Sequence, residues 1–551
     1  MGAERTIGSV LLERLQALGV RHIFGIPGDY VLSLYQLIER SPIKHVGTTR
    51  EDAAGFAADA YARIHGIGAV CVTYCVGGFN ALNPIAGAYA ERSPVILLSG
   101  SPGLNERRQH QPFFHHMVRD FNTQKEVFEK VTVAAAILDD PVTAEREMDR
   151  AFAALLRYRR PIYLEIPRDQ VHTPIAGPPA PPDLDTVKSH PDALQEAVAE
   201  VRSMLSSANR PVVLLGEDAY RFGLQDTLVK LVERMNVPVA ATLLGKSVVR
   251  EDHPLYIGIY SGLIGRDEVQ QFVTQSDCLL MLGALVSDIE RDAAQDRLLA
   301  EGRTIHVTAD AITIKHHRYD QVRFEDFVQA LAAAPLPVFP ARTLPPIPDL
   351  AADKPAPTDR VTLKGMFGYL DSRLTESTLV IADIGEALFA AADLRVHRGA
   401  EFLSPAYYTS MGFAVPAALG AGFADPALRP IVLVGDGAFQ MTGTELSSCV
   451  RYKLAPIVII LNNRGYSTER EIMAGGFNDI HNWQFERLCD LIGGGVGHRI
   501  ATHGEFVQAL DAALANRASM HLLNVLLDPS DRSPAMVRLA KRLAKRLSPG
   551  K

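Results

Sequence analysis

Short apolar runs, each followed by a longer stretch with helical periodicity, recur along most of this chain. HIFGI from His22, AVCVTY from Ala69 and PVILLSG from Pro94 read as buried strands, with a small-residue helix over Ala53–Ile64 among the intervening segments. PVVLLG from Pro211, PVAATL from Pro238, CLLMLG from Cys278 and TIHVTA from Thr304 repeat the pattern, as do LVIAD from Leu379, PIVLVGDG from Pro430 and PIVIILNN from Pro456. Continuous Val/Ile/Leu strands alternating with helices indicate parallel sheets covered on both faces. Two proline-rich stretches, Thr173 to Asp183 and Ala334 to Thr358, suit extended linkers better than core elements. The expectation is therefore an α/β protein of three doubly wound parallel-sheet domains, over residues 1–172, 184–333 and 359–530, with a basic tail over 531–551.

The first and third segments echo each other. Gly68–Gly100 and Arg429–Asn463 share the order strand, glycine turn, small-residue helix, strand, which suggests two copies of one unit able to pack as partners. The tail RLAKRLAKRLSPGK spaces leucine and alanine at helical intervals. It reads first as a helix docked on its own protein and second as a membrane-surface or partner helix.

Composition narrows the function. With 551 residues, 47% hydrophobic and 22% charged, the chain can bury large cores, and a net charge of -7 argues against nucleic-acid binding as its task. The five scattered cysteines, Cys71, Cys75, Cys278, Cys449 and Cys489, suit free thiols in a reducing compartment, and Cys71 and Cys75 have no second pair to complete a zinc site. No apolar run reaches the roughly 18 residues of a membrane span. The opening Met-Gly-Ala-Glu-Arg-Thr fits a loose myristoylation pattern, but a helix capped by Thr6 begins at once. A soluble cytoplasmic protein is expected.

The chemistry concentrates at strand ends. Gly435-Asp436-Gly437 is followed, 27 residues after Asp436, by Asn463 in LNNRGYSTE, and both follow a predicted parallel strand at the edge where ligands of open α/β folds bind. A carboxylate, an amide oxygen and an inward-turned Gly465 carbonyl are three hard oxygen donors suited to Mg²⁺. Gly437 and Ala438 lead into a helix whose first amides can receive a diphosphate. Two further sets stand out: Glu51 opening a small-residue helix in TTREDAAGFAADAYAR, and the adjacent His115 and His116, an unusual spacing for metal ligands.

The GDG…NN pattern resembles the thiamine diphosphate (ThDP) enzymes, and the likeness covers nearly the whole chain as pyrimidine-binding, central and diphosphate-binding domains. It implies that Asp436, Asn463 and the Gly465 carbonyl hold Mg²⁺ on the diphosphate, with Gly435, Gly437, Ala438 and Tyr466 lining the cofactor. It also implies that Glu51 bonds the pyrimidine nitrogen and so promotes the ylide, that the Thr409 carbonyl accepts from the aminopyrimidine, and that Met411 keeps the cofactor bent. In such enzymes the cofactor lies between the first domain of one subunit and the third of another. At least a homodimer is implied, with a tetramer favoured.

Within that superfamily the chain resembles the 2-oxo acid decarboxylases acting on pyruvate, indolepyruvate, phenylpyruvate or branched-chain acids. Gly28-Asp29-Tyr30, the pair His115-His116, and Glu469 six residues after Asn463 match their acid-and-histidine set. The resemblance implies non-oxidative decarboxylation to an aldehyde and CO₂ through an enamine, with Asp29, His115, His116 and Glu469 as proton relay. Asp29 and Glu469 are expected to share a proton. Ala438 replaces a common serine, Glu386 stands where a threonine often touches the diphosphate, and residues 117–124 depart from the family's usual run. Thr468 and Leu388 replace bulkier residues near Ile472, which leans the expected substrate towards aromatic or branched 2-oxo acids over pyruvate. The rivals are an acetolactate synthase-like carboligase and a catalytically silent ThDP-binding regulator.

Overall fold

A computed structural model describes residues 5–109, 113–175, 184, 188–287, 301–352, 354–396 and 402–547. Readings made above on residues 1–4, on most of the first proline-rich stretch and on residues 548–551 lie outside the described residues. Three sheets form, separated along the chain as the apolar runs predict.

The first sheet has six strands in the order β2-β1-β3-β4-β6-β5, all neighbours parallel. They are β1 (His22–Gly25), β2 (Lys44–Gly47), β3 (Gly68–Val72), β4 (Val95–Ser101), β5 (Ala134–Ile137) and β6 (Ile162–Pro167). The central β3, β4 and β6 are buried along their whole length, which is why they read as unbroken apolar runs. The second sheet, in the order β13-β12-β11-β10-β7-β8-β9, comprises β7 (Pro211–Leu215), β8 (Val239–Ala241), β9 (Tyr256–Ile259), β10 (Cys278–Leu282), β11 (Thr304–Val307), β12 (Ile312–Ile314) and β13 (His317–Tyr319). Its last two strands pair antiparallel, a departure from the all-parallel expectation. They are three residues each and only partly buried, too short to stand out as apolar runs. The third sheet is parallel, in the order β14-β15-β16-β18-β17: β14 (Thr378–Ala382), β15 (Arg429–Gly435), β16 (Ile457–Asn462), β17 (Val496–Ile500) and β18 (His521–Leu526).

By contacts the chain forms two units. One comprises Met1–Thr186 with Val415–Pro426 and Thr442–Leu454, so two segments of the third domain pack with the first sheet. There, an added Cβ on Gly420 would meet the Ala57 carbonyl oxygen at 2.0 Å, so only glycine allows that approach. The other unit holds the second and third sheets. Within it, the second proline-rich stretch is irregular up to a single 3₁₀ turn at Leu350–Ala352.

Local signals behave as the sequence predicts. Thr6 caps Ile7–Ala17, its hydroxyl accepting from the Ser9 amide at 3.2 Å. The tail helix Pro534–Leu547 docks on its own unit: Arg538 pairs with both Asp393 oxygens and donates to the Ile264 carbonyl, and Arg542 donates to those of Gly262 and Leu263. All five cysteines are buried and free. Among the described residues no helix is long and apolar enough to cross a membrane.

Candidate active site

Glu51 is the first residue of the helix Glu51–His65, entered from β2 through Gly47–Arg50. Two side chains of the third domain hold that entry: the Tyr452 hydroxyl accepts from the Gly47 amide at 2.7 Å, and buried Glu445 accepts from the Thr49 amide (3.0 Å) and hydroxyl (2.6 Å). The Glu51 carboxylate takes a 2.6 Å hydrogen bond from Asn80 Nδ2 at Oε2, while Oε1 lies 3.4 Å from where a Cβ on Gly77 would stand.

Asp29 and the two histidines meet in the same unit. His115 Nε2 lies 2.7 Å from Asp29 Oδ2, and its Nδ1 lies 3.0 Å from the hydroxyl of buried Tyr30, whose ring stacks on the imidazole at 4.8 Å. Burial pushes the Asp29 carboxyl up, but the His115 hydrogen bond and the charges of His115 and His116 outweigh it and hold the group below the usual carboxylate range. Glu469, expected from the sequence to share a proton with Asp29, lies in the other unit. His116 adopts left-handed φ of 67°, and its Nδ1 is buried without a hydrogen-bond partner among the described residues. Both features cost free energy in the protein alone and are typical of functional positions.

In the other unit, Asp436 follows β15 and Asn463 follows β16. Asp436 accepts from the amides of Gly437 (2.8 Å), Arg464 (2.6 Å) and Gly465 (3.2 Å). Burial nevertheless outweighs these three bonds, and the carboxyl is pushed up to about 6. Asn463 Oδ1 is buried with no partner among the described residues, whereas the neighbouring Asn462 NH₂ is spent on Asn482 and Asn524 inside the fold. Arg470 fixes the loop by donating to the carbonyls of Asn463 (3.2 Å) and Arg464 (2.7 Å) and to Asp479 (2.9 Å). Gly465, at φ 147°, has Asn478 O 2.1 Å from where its Cβ would be, and a Cβ on Gly437 would strike the Tyr466 ring at 2.5 Å. Both glycines are required by close approach. Thr409, a β-branched residue, stands at φ 59°. It precedes half-buried Met411 in a loop pinned by Asp383, which is wholly buried and accepts from the amides of Gly412 (3.1 Å) and Ala414 (2.9 Å).

Three family models match the chain in order: the thiamine pyrophosphate enzyme N-terminal TPP binding domain over residues 5–124, the central domain over 198–333 and the C-terminal TPP binding domain over 383–525. Indole-3-pyruvate decarboxylase of Azospirillum brasilense is 35% identical over 97% of this chain and 98% of its own length. Pyruvate decarboxylase of Neurospora crassa is 32% identical over 97% and 95% of the two chains, and alpha-keto-acid decarboxylase of Mycobacterium leprae is 32% identical over the same shares. This chain belongs to the thiamine diphosphate-dependent 2-oxo acid decarboxylases. It is a ThDP-dependent carboxy-lyase, and the residues fit the cofactor. Asn463 offers a buried oxygen that no donor among the described residues uses, and glycine at 77 leaves space beside Glu51. Among the described residues no three His, Cys, Asp or Glu side chains cluster as a metal site, so a metal here would depend on amide and carbonyl oxygens beside Asp436.

The departures from the family pattern have structural answers in two cases. Glu386 Oε1 accepts from the Ser533 amide at 2.9 Å, at the start of the tail helix, while buried Oε2 has no hydrogen-bond partner among the described residues. Burial raises this carboxyl. Ala438 is buried and brings no hydroxyl, and the Gly437 amide is already committed to Asp436. Of the expected substrate-pocket set, Leu388 is wholly buried in the core of this unit. Thr468 is half-buried, its hydroxyl without a partner among the described residues and 3.4 Å from the Gly385 Cβ position, and Glu469 and Ile472 are exposed on the short helix Ser467–Ile472.

Sequence reasoning missed Asn80, Asp383 and Glu445. Asp383 had a signal, an acid at the carboxyl end of the LVIAD strand. Asn80 and Glu445 had none, because their partners are fixed only by the fold.

Proposed function

We propose that this carboxy-lyase decarboxylates 2-oxo acids non-oxidatively to an aldehyde and CO₂, with aromatic or branched side chains preferred over pyruvate, as a cytoplasmic homo-oligomer using Mg²⁺. The observation that carries the reaction type is the Asp29–His115–Tyr30 cluster, with Asp29 and His115 at 2.7 Å. ThDP, when bound, supplies a carbon nucleophile and a sink for the electrons left by departing CO₂. The chain's own groups do the rest. Glu51 would bind the pyrimidine nitrogen through Oε1, and Met411 and the Thr409 carbonyl would hold the ring. Asp436, Asn463 Oδ1 and the Gly465 carbonyl hold Mg²⁺, as three hard oxygen donors suit that ion. The Asp29–His115 pair, joined at 2.7 Å through Nε2 and held by the Tyr30 hydroxyl at Nδ1, would act as one proton-holding unit that gives and takes protons at the former 2-oxo group. His116 and Glu469 complete the relay when the first domain of one subunit faces the third domain of another.

Thr468 supports the preference for larger acids, since a threonine leaves more room than the longer aliphatic residue expected there for pyruvate. The free, buried thiols fit a reducing compartment. The test is aldehyde formation across pyruvate, phenylpyruvate, indolepyruvate and branched 2-oxo acids, with ThDP and Mg²⁺, with and without chelator. Higher kcat/KM for the large acids, abolished by chelator, is the expected result. Acetolactate from pyruvate in place of acetaldehyde would assign a carboligase, and no turnover of any acid would assign a silent binder.

A further inference from the structure

We propose that Asn80 is a positioning residue for the Glu51 carboxylate, holding one oxygen so that the other is presented to the cofactor ring. The proposal rests on the reading of Glu51 as the partner of the pyrimidine nitrogen. A glutamate at the start of a helix has three free torsions, and fixing them costs entropy that some contact must offset. Here the contact is the 2.6 Å bond from Asn80 Nδ2 to Oε2, a charge-assisted bond of the strong class. The amide orientation is set in turn by Arg50, whose guanidinium reaches Asn80 Oδ1 at 3.5 Å while gripping Asp52 through Nε (3.0 Å) and NH2 (2.9 Å). A cation facing Oδ1 leaves only the NH₂ for the Glu51 carboxylate.

The short helix Val76–Asn80 makes the two Glu51 oxygens inequivalent. Asn80 at its end binds Oε2, while Gly77 near its start leaves clearance beside Oε1. The helix is itself locked at its entry, where the Cys75 amide donates to buried Gln124 Oε1 at 2.6 Å. A Cβ on Gly78 would sit 2.1 Å from the same Gln124 oxygen, so the turn closes only with glycine there. Oε1 is thereby left for the cofactor, and a carboxylate that could rotate would present either oxygen and spend time in neither productive pose.

The experiment measures hydrogen–deuterium exchange at the acidic thiazolium carbon of bound ThDP, together with ThDP affinity, in wild type, Glu51→Gln and Asn80→Ala. Exchange should be abolished in E51Q. In N80A it should fall roughly tenfold, with kcat falling in step and ThDP affinity within about threefold of wild type, since the diphosphate contacts lie elsewhere. Should N80A misfold, Asn80→Asp keeps the side-chain volume, replaces the donor by an acceptor and should slow exchange at least as much. Loss of exchange in E51Q with exchange unchanged in the Asn80 variants would overturn the role of Asn80 alone. Unchanged exchange in E51Q would overturn the reading of Glu51, and this proposal with it.

Discussion

Lowering the pH from 7 to 5 should weaken Mg²⁺ binding about tenfold through Asp436 alone. The carboxyl is buried and pushed up to about 6, while a metal held there as proposed requires it ionised. At pH 7 little of it is protonated, so protons barely compete; each unit below 6 then costs roughly a factor of ten. The sign for folding is the opposite. A carboxyl whose folded pKa is raised stabilises the metal-free fold below its ordinary value of 3.8, and that contribution is lost as pH rises through about 6. Ionisation at neutral pH therefore costs the metal-free protein on the order of 3 kcal/mol, which a bound cation would offset. Titration calorimetry of Mg²⁺ into ThDP-loaded protein between pH 5 and 7.5, corrected for metal binding by free cofactor in the same buffer, reads this directly. Asp436→Asn should show weak binding with no such slope. A flat wild-type affinity across that range, or an Asn variant that keeps the slope, would refute the reasoning.

Four further outcomes follow from named residues. Replacing Asp383 by alanine strands the Gly412 and Ala414 amides beneath the Thr409–Met411 loop and should lower ThDP affinity tenfold or more by fluorescence titration. Because burial pushes Asp383 up to about 6, its ionisation weighs on the fold above that pH, so Asp383→Asn should gain in melting temperature relative to wild type between pH 5 and 7.5. Glu386→Ala removes the acceptor for the Ser533 amide and should cost about 1 kcal/mol, seen as faster amide exchange confined to residues 533–547; unchanged exchange there would discount the cap. Thr468→Ile fills space beside Glu469 and should cut the ratio of kcat/KM for phenylpyruvate over pyruvate by tenfold or more, and an unmoved ratio would discount Thr468 as a size filter.

What this sequence determined by itself is the set of things governed by near neighbours. Apolar runs became strands because a central parallel strand is buried on both faces, and the runs from Leu379, Pro430 and Pro456 are the core of the third sheet. The GDG and NN pairs were legible because they follow strands directly, and Asp29 with His115 because the spacing of the motifs resembles one known family. The weak strands escaped notice: β5 is mostly alanine and β17 is largely exposed, so neither has an apolar signature. Tertiary structure alone decided which side chain answers which. Glu445 reaches Thr49 across 396 residues and Tyr452 reaches Gly47 across 405, so the approach to Glu51 is shaped by a segment no local pattern connects to it. Glu386, at a position where the family often has a threonine on the diphosphate, engages the start of the tail helix through one oxygen. A hydrogen bond depends on position and angle to within a few tenths of an ångström, and those are set by how whole elements pack, not by the order of residues within any one of them.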